Sequence, residues 1–108
     1  MSRQTQAKKI LIYSLEISDD ALTDVFKILD YYDEISEKLS NRFEFDFNSR
    51  IKYLSGYPEN FQIRYLKKMR VVPLTIFPYG IHFYIKDDTI FVVAVFHYSL
   101  SPKKWKRG

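Results

Sequence analysis

Gly80-Ile81-His82-Phe83-Tyr84-Ile85-Lys86-Asp87-Asp88-Thr89-Ile90-Phe91-Val92-Val93-Ala94-Val95-Phe96-His97 is the stretch that decides the fold. Two apolar, β-branched and aromatic runs flank an Asp-Asp pair, so Gly80–Lys86 and Thr89–His97 read as consecutive strands with Asp87 and Asp88 as their turn. Strict alternation in the second run puts Ile90, Val92, Ala94 and Phe96 on one face and Phe91, Val93 and Val95 on the other. A strand apolar on both faces has to be covered on both. Two helices can cover one face of the sheet. The other requires the C-terminal tail, a second copy or a different protein.

Upstream of this hairpin the pattern continues outward. Phe77-Pro78-Tyr79 leads into the first strand, and residues 63–76 read as extended, with Pro73 marking an edge or a bulge because proline cannot donate to a ladder. Residues 9–17 alternate, with Leu11, Tyr13, Leu15 and Ile17 on one face, and read as an N-terminal strand. Ser18 is an N-cap residue, Asp19 and Asp20 suit the positive end of a helix dipole, and Leu22, Val25, Phe26, Leu29 and Tyr32 carry a first helix to about Asp33. Ser36 can cap a second helix with the stripe Leu39, Phe43, Phe47, Ile51 and Leu54, ending on Gly56 as a C-terminal cap with Pro58 beyond. The fold class is therefore α+β, an N-terminal strand, a helical hairpin and a three-stranded antiparallel meander (β-α-α-β-β-β), within a single domain over residues 1–108.

Composition narrows the chemistry. The 108 residues include nine Tyr, nine Phe and one Trp, too much aromatic character for a disordered chain. The absence of Cys excludes disulfide frameworks, thiolate metal sites and cysteine nucleophiles. No apolar run approaches the ~20 residues of a membrane span, and the N-terminus lacks a small-residue cleavage site, so a cytoplasmic protein is expected. The net charge of +4 is split: residues 1–50 carry seven Lys/Arg against ten Asp/Glu, and residues 51–108 carry ten against three. The basic half attracts polyanions or an acidic protein. Its tail, Lys103-Lys104-Trp105-Lys106-Arg107, sets four cations around one indole, a pattern that can hold phosphates and stack on a base, or simply solubilise a terminus. Asp19, Asp20, Asp24, Asp30, Asp33, Glu34 and Glu37 read as solvated helix faces and caps, and no carboxylate pair for glycosidase or nuclease work stands out. No metal site and no cofactor are expected. His82, in mid-strand among aromatics, reads as structural.

Four stretches in order resemble the RelE/ParE superfamily of type II toxin–antitoxin toxins, often termed plasmid stabilisation proteins. They are Asp30-Tyr31-Tyr32, Arg70 seven residues before Phe77, Phe77-Pro78-Tyr79-Gly80-Ile81-His82-Phe83, and His97-Tyr98-Ser99-Leu100-Ser101-Pro102-Lys103-Lys104-Trp105. The resemblance implies a growth-arresting toxin neutralised by a cognate antitoxin. RelE-like members resemble metal-free ribonucleases acting on ribosome-bound mRNA, for which Arg70 and His97, with Lys103, Lys104 and Tyr98, are the available parts. His97 is the one of these with an ordinary pKa near neutrality, about 6.5; the alternative is a ring that bonds a backbone group and ends the strand. ParE-like members resemble DNA gyrase inhibitors without a catalytic centre. Leu100 stands where the family usually has arginine, and this departure favours the ParE-like branch. A plain nucleic-acid-binding module, using the tail with Tyr53, Tyr57 and Tyr65, is the further alternative.

Overall fold

A computed structural model describes residues 13–100 together with Trp105. Its elements are β1 (Ser14–Ile17), α1 (Asp19–Ile35), α2 (Glu37–Gly56), a 3₁₀ turn (Pro58–Asn60), β2 (Ile63–Tyr65), β3 (Met69–Pro73), β4 (Tyr79–Lys86) and β5 (Thr89–His97). They form one five-stranded sheet in the order β1-β5-β4-β3-β2, antiparallel except for the β1–β5 pair. The expected order of strand, two helices and antiparallel strands holds. Residues 9–12 of the expected first strand lie outside the described residues.

One expected segment divides. Residues 63–76 turn back after Tyr65, and Lys68 N–H bonds the Tyr65 carbonyl at 3.3 Å. The turn places Leu66 and Lys67 at φ of 52° and 62°. Left-handed backbone costs a non-glycine residue roughly 1 kcal/mol, which is why neither residue signals a turn in the sequence. Pro73 behaves as expected of an edge: it ends β3 opposite Gly80, whereas β2 pairs only with Arg70 and Met69.

Ser18 caps α1 by accepting from Ala21 N–H at 3.1 Å. Ser36 serves both helices, its N–H closing α1 on the Tyr32 carbonyl while its Oγ accepts from Lys38 and Leu39 to open α2. One residue thus makes the whole connection, and the helices fold back on each other. α2 ends at Gly56 as expected, but Gly56 is not its cap. It is the last helical residue, and Tyr57, with φ −139°, caps α2 through its N–H to the Tyr53 carbonyl. The stripes point as their spacing requires. Ala21, Val25 and Ile28 of α1 and Phe43, Phe47 and Leu54 of α2 bury against Val72, Ile81, Phe83, Ile90 and Val92. Each large side chain so buried contributes on the order of 1.5–3 kcal/mol.

The alternation in β5 breaks midway. Phe83 pairs with Val92 but His82 with Ala94, so Val93 is an extra residue, a β-bulge. The bulge reverses the facing of everything after it. Val95 joins Ile90 and Val92 in the core beneath the helices, whereas Ala94 and Phe96, expected beside Val92, share the opposite face with His82 and Gly80. Because β1 stops at Ile17, opposite Val92, α1 meets the bulged edge: Ser18 Oγ donates to the Val93 carbonyl at 3.4 Å and Val95 N–H donates to Asp24 Oδ2 at 2.9 Å. Asp24 is therefore part of the packing and not a solvated face residue.

The opposite sheet face is covered in part by Trp105. The Trp105 indole packs edge-on to His82 at 4.8 Å and against Tyr65 at 5.4 Å, and His82 also meets Phe96 at 4.9 Å. Tyr65 Oη and His82 Nδ1 share a 2.7 Å hydrogen bond, and His82 is buried, the structural role its position implied. At the other end of this face, Tyr84 stacks on Phe91 at 5.1 Å beside a shallow concavity of about 170 Å³ that reaches Ile17 and Val93.

Candidate functional site

The Phe77-Pro78-Tyr79 segment is fixed from below by Asp46. This α2 carboxylate, 2 % exposed, accepts from Thr75 N–H at 3.0 Å with Oδ1 and from Ile76 and Phe77 N–H at 2.7 and 3.0 Å with Oδ2. A charged acceptor satisfies three backbone donors that no strand partner reaches. The signal for it was present in the sequence: Asp46 stands on the buried stripe between Phe43 and Phe47, where a solvated carboxylate has no place.

The clamp sets the position of Tyr79, at the centre of an aromatic cluster with Tyr32, Phe43 and His97. Burial, and then donation to Tyr32, push the Tyr79 phenol far above its ordinary pKa. Tyr98 follows, its N–H bonded to the Pro78 carbonyl and its phenol raised by burial, with Arg50 opposing the shift. Gly80 is required here by close approach. A Cβ on it would lie 2.7 Å from Val71 Cγ1 and 3.6 Å from Tyr98 Cε1.

His97 ends β5 with its ring edge-on to Tyr79 at 5.1 Å, and its Nδ1 accepts from Ser99 N–H at 2.9 Å. Its carbonyl accepts from Leu100 N–H at 3.0 Å. The ring thereby closes the turn that leaves the sheet. Leu100 is half-buried in that turn.

Arg70 lies elsewhere. It pairs with Phe83 from one side of β4, whereas His97 pairs with Tyr79 from the other, an offset of about 13 Å along the strand at ~3.3 Å per residue and of two strand spacings, about 10 Å, across the sheet. The Arg70 guanidinium donates from Nη1 to the Phe61 carbonyl at 2.7 Å, and its Nε is buried without an acceptor among the described residues. Near it, Tyr13 donates to Glu59 at 3.1 Å, and burial followed by that hydrogen bond raises the Tyr13 phenol. Arg50, a cation not singled out in the sequence, donates from Nε to the Pro73 carbonyl at 3.0 Å and lies over the Tyr53 ring.

Of the tail residues, Trp105 is engaged with the sheet, with the Arg64 guanidinium over its ring at 5.5 Å. Lys103, Lys104, Lys106 and Arg107 lie outside the described residues. No group of three or more His, Asp or Glu side chains suited to a metal occurs among the described residues. None of the described helices is long and apolar enough to cross a membrane.

A helical hairpin spliced between a parallel edge strand and an antiparallel meander, with its last strand bulged over the first helix, defines the class as the RelE/ParE fold. Residues 15–99 match the family model described as the ParE toxin of type II toxin–antitoxin systems, parDE, and the chain belongs to that family. It is the toxin component of such a module. Among solved structures, it is similar to a chain of the chromosomal ParDE toxin–antitoxin system from P. aeruginosa, with a TM-score of 0.72 and 19% identity, over 80% of this chain and 96% of that one. No curated protein matches the sequence.

Proposed function

We propose that this toxin arrests growth by binding a protein target in the cytoplasm, DNA gyrase, and that a cognate antitoxin neutralises it. The observation that carries this reading is the separation of Arg70 from His97, each already committed to a backbone group. RNA cleavage by 2′-hydroxyl attack needs a base, an acid and a cation converging within hydrogen-bond reach of one phosphate. His97 Nδ1 already accepts from the backbone, and the Arg70 guanidinium is half-buried beneath Phe61. The packing of Trp105 on His82 and Tyr65 also weighs against a tail that stacks freely on nucleic acid bases.

The test is a pair of assays with the purified chain. Supercoiling by gyrase should be inhibited, and an equimolar amount of the protein encoded in the adjacent reading frame should restore it. Ribosome-dependent mRNA cleavage with no effect on gyrase would overturn the reading.

A further inference from the structure

The β2–β3 turn keeps side chains that its backbone disfavours. Leu66 and Lys67 both sit at positive φ, in the manner of a type I′ turn, for which Asn-Gly is the preferred pair. Leu66 nevertheless projects 51% exposed at the tip. Nothing in the core uses it. Residues 60–86 contain no Asp or Glu and five cations; Arg70 is turned to the Phe61 carbonyl, and Arg64, Lys67, Lys68 and Lys86 are exposed. Two of these are held in place over rings, Arg64 above Trp105 at 5.5 Å and Lys68 above Tyr84 with its Nζ 4.2 Å from the centroid. The adjoining β4–β5 turn contributes Asp87 and Asp88 at the same end of the sheet, so the cationic surface is bounded on one side.

We infer that the β2–β3 hairpin is the element by which this toxin grips its target, and that the target offers an acidic protein surface with an apolar recess for Leu66. The inference rests on the reading that the toxin acts by binding a protein. Strained backbone that persists in a fold is retained where its side chains have work to do. Cations pre-positioned over rings speed and orient an encounter with an acidic surface. A buried apolar anchor then slows dissociation. A nucleic acid would engage the same cations but has no use for an exposed leucine at the tip of the turn. The exposed side chains of the helices, such as Phe26, Tyr31 and Phe45, belong to the other layer of the molecule and form a separate surface.

The decisive variant replaces the strained pair with the residues the turn prefers, Leu66→Asn together with Lys67→Gly. It should raise the thermal midpoint, leave co-purification with the adjacent-frame antitoxin unchanged, and increase survivors of induced expression at least tenfold. Leu66→Ala alone, which keeps every charge, should weaken growth arrest several-fold. A double variant that arrests growth as the parent does overturns the inference and leaves the toxin reading standing. Loss of antitoxin binding with arrest retained would assign the hairpin to the antitoxin and likewise overturn it. Full arrest by Leu66→Ala, with arrest abolished by Lys67→Glu, would indicate a polyanion and remove the apolar anchor. A lowered thermal midpoint in the double variant would refute the strain on which the inference stands. If the parent chain arrests growth without inhibiting gyrase, the gyrase reading fails while the hairpin is still judged by the same variants. A parent chain that does not arrest growth at all overturns both.

Discussion

Replacing Asp46 should unfasten the segment that carries Phe77 and Tyr79, and the size of the effect follows from who loses a partner. The carboxylate serves three N–H groups, and they are not equally placed: Thr75 and Ile76 are exposed residues, Phe77 is buried. In Asp46→Ala, water can take over much of the first two donors, at about 0.5–1 kcal/mol each, whereas the Phe77 N–H is left unsatisfied at about 1–3 kcal/mol. The sum is roughly 3 kcal/mol, a large part of the ~5–15 kcal/mol available to a domain of this kind. At about 4 °C per kcal/mol, the thermal midpoint should fall by roughly 12 °C. Asp46→Asn keeps one oxygen, enough for the Ile76 and Phe77 donors now bonded to Oδ2, and turns an NH₂ toward Thr75 N–H. Its cost should be about 1 kcal/mol, roughly 4 °C. Thermal unfolding followed by circular dichroism separates the two. The reasoning is refuted if Asp46→Asn is as damaging as Asp46→Ala, or if Asp46→Ala lowers the midpoint by less than about 4 °C.

Gly80→Ala forces a Cβ to within 2.7 Å of Val71 Cγ1 and should destabilise by about 1–3 kcal/mol; an unchanged unfolding midpoint would show that Val71 moves aside freely. Arg70→Ala removes the donor to the Phe61 carbonyl and should cost about 1–2 kcal/mol, yet growth arrest should persist at temperatures where the variant is folded. Loss of arrest without loss of stability would return Arg70 to the active surface. Tyr13, Tyr79 and Tyr98 all have phenols raised above 10.0 in the fold, so the folded chain keeps these protons when the unfolded chain releases them. Stability is then complete below pH about 10 and declines as pH rises above it, and Tyr79→Phe should flatten that decline in unfolding curves taken across the alkaline range. A midpoint that does not change with alkaline pH would count against the burial of Tyr79.

The elements that the sequence made legible are those whose local chemistry and long-range packing agree. Ser36 caps in the linear pattern and caps in the fold. The Phe43, Phe47 and Leu54 stripe is apolar at helical spacing because it lies on Phe83 and Ile81. The places that escaped are those where tertiary contacts overrule the local pattern. Val93 bulges without a glycine because α1 supplies Ser18 and Asp24 to the disturbed edge, and no periodicity within β5 contains that information. Leu66 and Lys67 turn without the residues of a turn. Asp24 was hidden among other carboxylates because a helix sequence does not say which of its acids faces a neighbouring backbone, whereas Asp46 is marked by its place on the apolar stripe between Phe43 and Phe47. At the candidate site, Arg70 and His97 were legible as residue types, while their distance from each other depended on the register of β3 and β5 against β4.

The pairing of β1 with β5 has a kinetic consequence. Ser18 and Val93, joined at the seam, are 75 residues apart in the chain. The strand that links β1 and α1 to the meander is the last of the five to be synthesised. Such distant pairing has a large loop-closure entropy and slows folding. On the ribosome, α1 and α2 can form their hairpin early, since their contacts are local, but Val25, Phe43 and Phe47 remain without the sheet they pack on until β5 emerges. A nascent chain of this toxin therefore has helices before it has a core. It becomes competent to act only once β5 has been added.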